Sequence, residues 1–324
     1  MTKPIASLSL DLDNKWSYMK THGDAGWESF PSYLDVVVPR VLDILKAHKL
    51  TITFFVVGQD AALEKNRKAL ISIAAAGHEI GNHSFHHEPW LHLYPEKEIE
   101  TELESAEEHI GRVTGFRPIG FRGPGFSLSP TVLKVLKRRG YLYDCSTLPT
   151  FLGPLARAYY FMTANLPPEE IKRRKLLFGK VSEGFRPLKP YRWQTVAGEL
   201  CEIPVTTMPL LRLPIHASYI LYLSAVSLPA ALSYLRVALW LCRLTGTQPS
   251  FLLHPLDFLG ADDDADLAFF PAMRLPSRKK LQIMGAVLDL LTRHFTVIPM
   301  REHARLAGAT GSLPVRQPVF EHSR

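Results

Sequence analysis

Apolar and polar positions follow two alternating patterns along the first half of the chain. Residues 5–13, IASLSLDLD, alternate with period two, residues 35–49 place apolar side chains at helical spacing, and residues 51–58 are almost continuously apolar. The first and third patterns predict strands and the second predicts a helix. The succession continues with a predicted helix over about 60–76, a helix over 95–112, a strand over 119–123, a helix over 129–140 and a strand over 141–146. Strands that alternate with helices predict a mainly parallel sheet.

The pattern changes in the middle of the chain. Residues 150–198 are rich in proline, aromatic and basic residues, and we predict an insertion there. A barrel-like succession is completed by a predicted strand over 200–207, a strand over 250–255, a helix over 277–294, a strand over 295–300 and a helix over 301–308. Chains of this length often form one α/β barrel. We expect a single domain over 1–308 and a disordered tail over 309–324.

Residues 213–235 contain no Asp, Glu, Lys or Arg and are long enough to cross a bilayer. Pro229, His216 and several serines weaken a transmembrane interpretation. A buried helix pair and an apolar flap lying in the membrane interface are the alternatives. The flap is favoured by the basic insertion nearby, because lysine and arginine are attracted to anionic headgroups. The basic residues of the insertion are Arg157, Lys172, Arg173, Arg174, Lys175, Lys180, Arg186, Lys189 and Arg192.

The chain is basic, with a formal net charge of +7 and a sequence pI of about 9.2. An anionic partner would suit it: nucleic acid, an acidic glycan or the phosphates of a membrane surface. Nucleic acid is the weakest of the three, because the sequence lacks the common nucleic-acid-binding motifs. Cys145, Cys201 and Cys242 are odd in number and widely spaced, which fits a reducing compartment. The first residues do not resemble a secretory signal peptide, so we expect a cytoplasmic protein.

Candidate metal ligands are concentrated in GHEIGNHSFHH, residues 77–87. His83 and His87 are four residues apart, so on one helical turn both imidazoles would leave the same face and could converge on one ion. A solvated, histidine-rich surface is the alternative if no third ligand exists. Asp11 and Asp13 end the first predicted strand on one face, where one carboxylate can bind metal while its neighbour handles protons. In a barrel, the carboxyl ends of the strands surround one mouth.

Five motifs, in order along the chain, resemble those of the polysaccharide deacetylase family, carbohydrate esterase family 4. The matching residues are Asp11 and Asp13 in SLDLDN, His83 and His87 in HSFHH, Arg122, Pro124 and Phe126 in FRGPGFS, Asp144 in YDCS, and Leu253 and His254 in LLHP. The resemblance covers residues 5–147 closely and 200–305 more loosely. Any one motif alone would be a weak signal, whereas five in the same order are specific.

The resemblance implies a distorted (β/α) barrel of about seven parallel strands, with the insertion ahead of the last strands. It implies that Asp13, His83 and His87 bind a divalent metal ion, with Zn²⁺ as the default and Co²⁺, Ni²⁺, Fe²⁺ or Mn²⁺ also suited to such ligands. Asp11 would act as the catalytic base and His254 as the catalytic acid.

The resemblance also assigns less direct roles. Leu253 would line the acyl-methyl pocket, and Pro124 and Phe126 would contact substrate. Arg122 could tune a carboxylate or hold a loop, and we favour tuning. Asp144 lacks the tryptophan that often follows it in the family, so a catalytic role and a strand-end cap are equal alternatives. The remaining histidines that we considered are expected to be caps, surface groups or pocket walls: His78, His86, His92 and His216.

These residues predict a metal-dependent hydrolase that removes the N-acetyl group from an amino sugar. Because we expect a cytoplasmic protein, the substrate would be a lipid-linked or other precursor of a surface glycan, and an anionic membrane surface is a possible partner. The sequence leaves open a deformylase, or a cyclic-amide hydrolase similar to allantoinase, on the same fold. A non-catalytic glycan-binding barrel is a further alternative, which the retained ligand and acid–base residues disfavour. The sequence does not predict the oligomeric state.

Overall fold

The computed structural model describes residues 3–155, 158, 162, 181–309, 311 and 313–320. The predicted insertion is therefore seen only in part. Six of its basic residues lie outside the described residues: Arg157, Lys172, Arg173, Arg174, Lys175 and Lys180.

The described strands belong to one sheet, and nearly all neighbouring strands run parallel. They are β1 (Ile5–Asp11), β2 (Thr53–Val56), β3 (Glu79–Asn82), β4 (Gly120–Phe121), β5 (Tyr143–Asp144), β6 (Tyr191–Thr195), β7 (Gly198–Glu202), β8 (Ser250–Leu253), β9 (Thr296–Ile298) and β10 (Val315–Arg316). Their order is β10-β6-β7-β5-β4-β3-β2-β1-β8, and β9 pairs with the start of β1. Only the β6–β7 pair among these is antiparallel.

The sheet closes on itself through the segment that follows β7. The Val205 N–H donates to the Thr147 carbonyl at 2.8 Å, and the Thr206 N–H donates to the Ser250 carbonyl at 3.0 Å. This segment therefore joins the β5 side of the sheet to β8 by a few hydrogen bonds instead of a full ladder. Seven parallel strands, β1 to β5 with β7 and β8, surround the interior, which confirms the predicted distorted barrel.

Helices cover the outside of the barrel. Those described are α1 (Lys15–His22), α2 (Leu34–Ala47), α3 (Gly58–Ala62), α4 (Arg67–Ala75), α5 (Glu96–Thr114), α6 (Pro130–Arg138), α7 (Ala217–Val226), α8 (Leu228–Thr245), α9 (Ser277–His294) and α10 (Met300–Ala309). The single helix predicted over 60–76 is two helices, because Leu63 has an extended backbone between them. Met300 and Ala304 of α10 join a buried cluster with Phe55 and Tyr143.

The apolar segment 213–235 forms α7 and the first part of α8. The serine at position 227, extended at φ −155°, separates the two helices and caps α8. Their inner sides, including Ile220, Leu221 and Leu235, belong to the main core, so a helix pair is the alternative that matches. Val226, at the tip, is 90% exposed. Within the described ranges, we find no helix that combines the length and apolar character needed to span a membrane.

Two expectations about the insertion and the tail need correction. Residues 191–195 of the predicted insertion form β6, in which buried Tyr191 and Trp193 alternate with more exposed neighbours. The tail beyond residue 309, expected to be disordered, supplies β10, which pairs with β6. Phe320 packs against Trp193 with ring centroids 5.7 Å apart. The tail is ordered there because the apolar face of β6 offers it a packing partner.

Candidate active site

Three side chains converge where β1 and β3 end. The Oδ1 atom of Asp13 lies 3.3 Å from Nε2 of His83 and 3.0 Å from Nε2 of His87, and one ligand atom from each residue lies within 4.8 Å of the others. A tetrahedral ion with bonds of about 2.0–2.1 Å would hold its ligand atoms about 3.3 Å apart. The donor set and its spacing therefore fit one divalent ion with positions left for water and substrate.

The two histidines do not meet on a helical turn, as the sequence spacing led us to expect. Residues 83–87 form a tight loop in which Ser84 (φ 61°) and His87 (φ 53°) adopt the left-handed region. The Ser84 N–H donates to Asn82 Oδ1 at 2.8 Å, and the His87 N–H donates to Ser84 Oγ at 3.1 Å. These bonds hold the turn that brings the two rings to a centroid distance of 5.0 Å.

Neighbouring groups fix how Asp13 and His83 present their ligand atoms. Nδ1 of His83 lies 2.6 Å from the carbonyl oxygen of Arg122. A carbonyl can only accept, so Nδ1 carries the proton and Nε2 keeps its lone pair for a metal. Burial would raise the pKa of Asp13, but its interactions with His87 and His83 hold this pKa well below its ordinary value. Asp13 is therefore ionised, as a ligand must be.

Asp11 is held by a buried arginine. Nη1 of Arg122 donates to Asp11 Oδ1 at 2.6 Å and to Ser9 Oγ at 2.9 Å, and its Nε donates to the Cys145 carbonyl at 3.1 Å. Burial would lower the pKa of Arg122, but the charge of Asp11 raises it above the ordinary value. Arg122, which is 0% exposed, thus pairs with a carboxylate and also holds the backbone after β5. Its contacts thus include both a carboxylate and a loop, the two kinds of partner that the sequence left open, and its role in catalysis stays a prediction.

Asp144 is buried, like Asp11, but it accepts hydrogen bonds from Ser146. Its Oδ1 accepts from the Ser146 hydroxyl at 2.6 Å and its Oδ2 accepts from the Ser146 N–H at 3.2 Å. The Ser146 hydroxyl oxygen in turn accepts from the Gly123 N–H at 2.8 Å. Burial, with the nearby Glu202 carboxyl, raises the pKa of Asp144 well above its ordinary value. These contacts are those of the strand-end cap, which was one of our two alternatives.

His254 follows β8 and lies beside the metal ligands. It lines a pocket of 200 Å³ with Asp13, Tyr18, Leu256 and other residues. Leu253, expected to line the acyl pocket, pairs in register with Leu10. Both side chains point to the outer face of the sheet and belong to the main core. Successive strand residues face opposite sides, so Leu253 packs against the helix layer. The leucines that line this pocket are Leu221 and Leu256.

The third motif lies at the edge of a wider groove. Pro124 and Phe126 belong to a 3-10 turn, and Phe126, at φ 60°, lines the groove. His216 lines both the groove and the smaller pocket. Burial lowers the pKa of His216 to about 3, so it is a neutral wall of the site. This matches the expectation that His216 is a pocket wall.

Sequence reasoning missed Ser218, Asp257 and Lys280, which also line the smaller pocket. Asp257 had a local signal, because it is three residues after His254 and accepts from the His254 N–H at 2.7 Å, as a turn cap does. Ser218 and Lys280 had no such signal, since they come from helices α7 and α9 that are distant in sequence.

The comparisons with known proteins cover different parts of the chain. Residues 24–143 match the family model described as polysaccharide deacetylase. The peptidoglycan-N-acetylmuramic acid deacetylase PdaA of Bacillus subtilis (strain 168) is 41% identical over 111 residues, which cover 34% of this chain and 41% of that protein. A peptidoglycan deacetylase of Helicobacter pylori is 31% identical over 157 residues, which cover 46% of this chain and 52% of that protein. The chain thus spans about half or less of the length of these relatives.

One solved structure shares the fold over nearly the whole chain. The Puue allantoinase superposes with a TM-score of 0.60 at 18% identity, covering 96% of this chain and 92% of that one. The segment that matches the family model contains His83, His87 and Arg122. Asp11, Asp13 and His254 lie outside that segment, and the barrel fold brings them to the same site. Over residues 24–143, the chain is thus similar to the polysaccharide deacetylase family.

Proposed function

We propose that this protein hydrolyses the N-acetyl amide of an amino sugar with the help of a divalent metal ion. The observation that carries the proposal is the arrangement around one pocket: three converging ligands, with the Asp11–Arg122 pair close to them and His254 lining the same pocket as Asp13. A base and an acid near a metal site are what amide hydrolysis requires. The relatives named as peptidoglycan deacetylases support an N-acetylated sugar as the substrate class.

The bound ion, held by Asp13, His83 and His87, would supply Lewis acidity and lower the pKa of water. Asp11 accepts a proton from the water whose oxygen adds to the amide carbon. Arg122 orients the Asp11 carboxylate for this transfer. His254 donates a proton to the nitrogen as the C–N bond breaks, because an amine anion is a very poor leaving group. The products are acetate and the free amine, and Asp11 and His254 return to their starting states by proton exchange with solvent.

The finer substrate we propose is a cytoplasmic, lipid-linked precursor of a surface glycan. The described part of the groove carries three arginines, Arg186, Arg212 and Arg316, which suit a phosphate-bearing substrate. Beside Arg212, the side chains of Leu210 and Leu211 are 76% and 59% exposed. Arginines next to exposed leucines suit the boundary between headgroups and acyl chains of a membrane. The three cysteines, all free thiols, are compatible with a reducing compartment.

An acetate-release assay tests the proposed reaction. The purified protein, loaded in turn with Zn²⁺, Co²⁺, Ni²⁺, Fe²⁺ or Mn²⁺, would be incubated with N-acetylated and N-formylated amino sugars and with a cyclic amide. We expect acetate and a free amine from the first class, and release by the Asp11→Asn variant that is slower by about a hundredfold or more. Formate alone would favour a deformylase, ring opening would favour a cyclic-amide hydrolase, and no turnover on any of them would favour glycan binding.

Mass spectrometry of lipid-linked oligosaccharides tests the proposed substrate. Cells with and without the protein should differ by about 42 Da per sugar, the mass of one acetyl group exchanged for hydrogen. A difference in soluble sugars but not in lipid-linked ones would contradict the lipid-linked substrate and leave the deacetylase proposal in place.

A further inference from the structure

His254 is connected to two groups that its motif does not contain. Oγ of Ser218, in the first turn of α7, lies 3.2 Å from Nδ1 of His254. The same oxygen donates to Oδ1 of Asp257 at 2.8 Å. The second oxygen of Asp257, Oδ2, accepts from the His254 N–H at 2.7 Å. Asp257, with 1% exposure, therefore bonds to the backbone of His254 directly and to its ring through the serine.

The number of available hydrogens determines the direction of the hydrogen bonds that connect Asp257, Ser218 and His254. A serine hydroxyl has one hydrogen, and here it is donated to the Asp257 carboxylate. The Asp257 N–H, which the turn also places near the His254 side chain, donates to the His254 carbonyl at 3.0 Å. With Asp257 ionised, the serine oxygen can then only accept from His254, so this arrangement puts a hydrogen on Nδ1 of His254. The hydrogen-bond chain leaves Nε2 as the nitrogen free to exchange a proton with a substrate. Without the serine, either tautomer of the neutral ring would be available.

Other contacts hold the turn that contains His254 and Asp257. Nζ of Lys280 donates to the Leu256 carbonyl at 2.7 Å, inside the turn that runs from His254 to Asp257. Burial raises the pKa of Asp257, while the charge of His254 and the hydrogen bonds from its backbone and from Ser218 act in the opposite direction. Unlike Asp257, Asp144 bonds to Ser146, which lies near the third motif.

We propose that Ser218 and Asp257 are positioning residues for His254, so that the helix formed by the apolar segment completes the acid side of the site. They set the tautomer and the orientation of the imidazole, and they touch the substrate through no bond of their own. This inference rests on the proposed function in assigning His254 as the acid. It also explains what α7 contributes to the site, because this helix brings a hydroxyl to a histidine that lies 36 residues further along the chain.

The test compares two substrates with different leaving groups. An N-acetylated amino sugar needs protonation of its nitrogen, whereas the 4-nitrophenolate released from 4-nitrophenyl acetate leaves without help. We expect Ser218→Ala and Asp257→Asn to lower kcat on the amide about tenfold or more, with KM changed little and ester hydrolysis within about twofold of the unmodified protein. Ser218→Thr keeps a hydroxyl and should recover most of the amide activity.

Ser224→Ala is the matched control, because Ser224 lies in the same helix and its hydroxyl donates to the Leu221 carbonyl, away from His254. It should leave both activities unchanged. Equal losses on amide and ester in Ser218→Ala would mean that the serine only supports the fold, and this would overturn the proposal. Unchanged amide turnover in both variants would overturn it as well.

A second measurement does not depend on turnover. Nitrogen-15 NMR of the His254 ring should show a protonated Nδ1 in the neutral form of the unmodified protein and a mixture of tautomers in Ser218→Ala. The same tautomer ratio in both proteins would overturn the inference. If the unmodified protein hydrolyses no amide, the proposed function fails, yet the NMR result still decides whether Ser218 and Asp257 set the state of His254.

Discussion

The two sides of the site hold the proposed base, Asp11, and the proposed acid, His254, by different means. Asp11 extends from a strand of the barrel and pairs with Arg122, an arginine that is 0% exposed and makes further bonds to Ser9 and Cys145. His254 follows the end of β8 and is oriented by a hydroxyl from a helix of the outer layer. The proposed base is thus fixed by a charge pair inside the barrel, whereas the proposed acid is held at its edge by the Ser218 hydroxyl and the Asp257 carboxylate.

The comparison indicates which properties each side controls. Removal of one partner of a buried ion pair leaves an uncompensated charge, so changes on the base side should affect folding as well as turnover. Loss of a single hydroxyl bond costs far less stability. Changes on the acid side should therefore affect turnover while the fold is retained.

Removal of the metal ligands between the two sides should have the largest effect. In the Asp13→Ala, His83→Ala, His87→Ala variant, we expect tightly bound metal to be lost. Amide hydrolysis should fall below detection, because in the proposed reaction the ion would supply the Lewis acidity on which both sides depend. Elemental analysis of the purified protein measures the metal. The control is His86→Ala, in the same loop, whose ring pairs with Glu102. Equal metal content in the triple variant and the unmodified protein would refute the site.

The base side should be the more sensitive one in folding. Arg122→Met leaves Asp11 buried and unpaired, and we expect a loss of about 3–5 kcal/mol in the free energy of unfolding, measured by urea denaturation. Arg40→Met removes the partly exposed pair of Arg40 with Asp263 and should cost less than about 1 kcal/mol. Similar losses in the two variants would show that burial of the Asp11–Arg122 pair does not increase its effect on the free energy of unfolding.

Turnover should respond to both sides, with metal binding unchanged. Asp11→Asn and His254→Ala should each lower amide hydrolysis about a hundredfold or more, the usual effect of removing a general base or acid. Both should keep the metal, since neither residue is among the ligands. Only His254→Ala should keep ester hydrolysis, which needs no proton donor for its leaving group. Near-normal amide rates in both variants would exclude the mechanism.

Asp144 should affect stability in a pH-dependent manner and turnover only a few-fold. Because its pKa is raised by burial and by Glu202, its ionisation opposes folding. The folded state should lose stability as pH rises from the ordinary carboxyl range towards the raised pKa. Asp144→Asn should remove this loss, so the stability of this variant relative to the unmodified protein, measured by urea denaturation, should increase as pH rises above the ordinary carboxyl range. A large loss of turnover would instead make Asp144 catalytic.

The smallest effect concerns Leu210 and Leu211, the exposed leucines beside Arg212 of the groove. Replacement of Leu210 and Leu211 by serine should weaken sedimentation with anionic lipid vesicles a few-fold, because these exposed leucines would enter the interface. High salt should release the unmodified protein as well. Val196→Ser, at an exposed position between β6 and β7, is the control. Absence of vesicle binding by the unmodified protein would remove the membrane proposal and leave the chemistry untouched.

The sequence predicted the base side better than the acid side. Period-two alternation placed Asp11 at the end of β1, and its spacing from Asp13 was readable because a strand has a fixed geometry. His83 and His87 were identified through a helical argument that is wrong, since two left-handed residues make the approach. Spacing alone could not separate a helical turn from a tight loop of the same length.

The acid side depended on contacts between segments distant in sequence. Ser218 lies in a stretch whose apolar character suggested membranes or a core, and nothing local marks its hydroxyl as a partner of His254. Leu253 was placed by analogy with a motif, whereas its register with Leu10 decides its direction. The position of β10 in the sheet could not be predicted either, because it depends on a partner strand more than a hundred residues earlier.

The short strand β10 has a consequence for the behaviour of the protein in solution. It runs beside β6, and the Arg192 N–H donates to the Pro314 carbonyl at 2.9 Å. Removal of residues 313–320 would uncover a five-residue strand edge with Tyr191 and Trp193 next to it. Such an edge is a template for pairing with another molecule. A chain shortened at this point should form oligomers at high concentration, although its metal ligands and its acid–base pair would be intact.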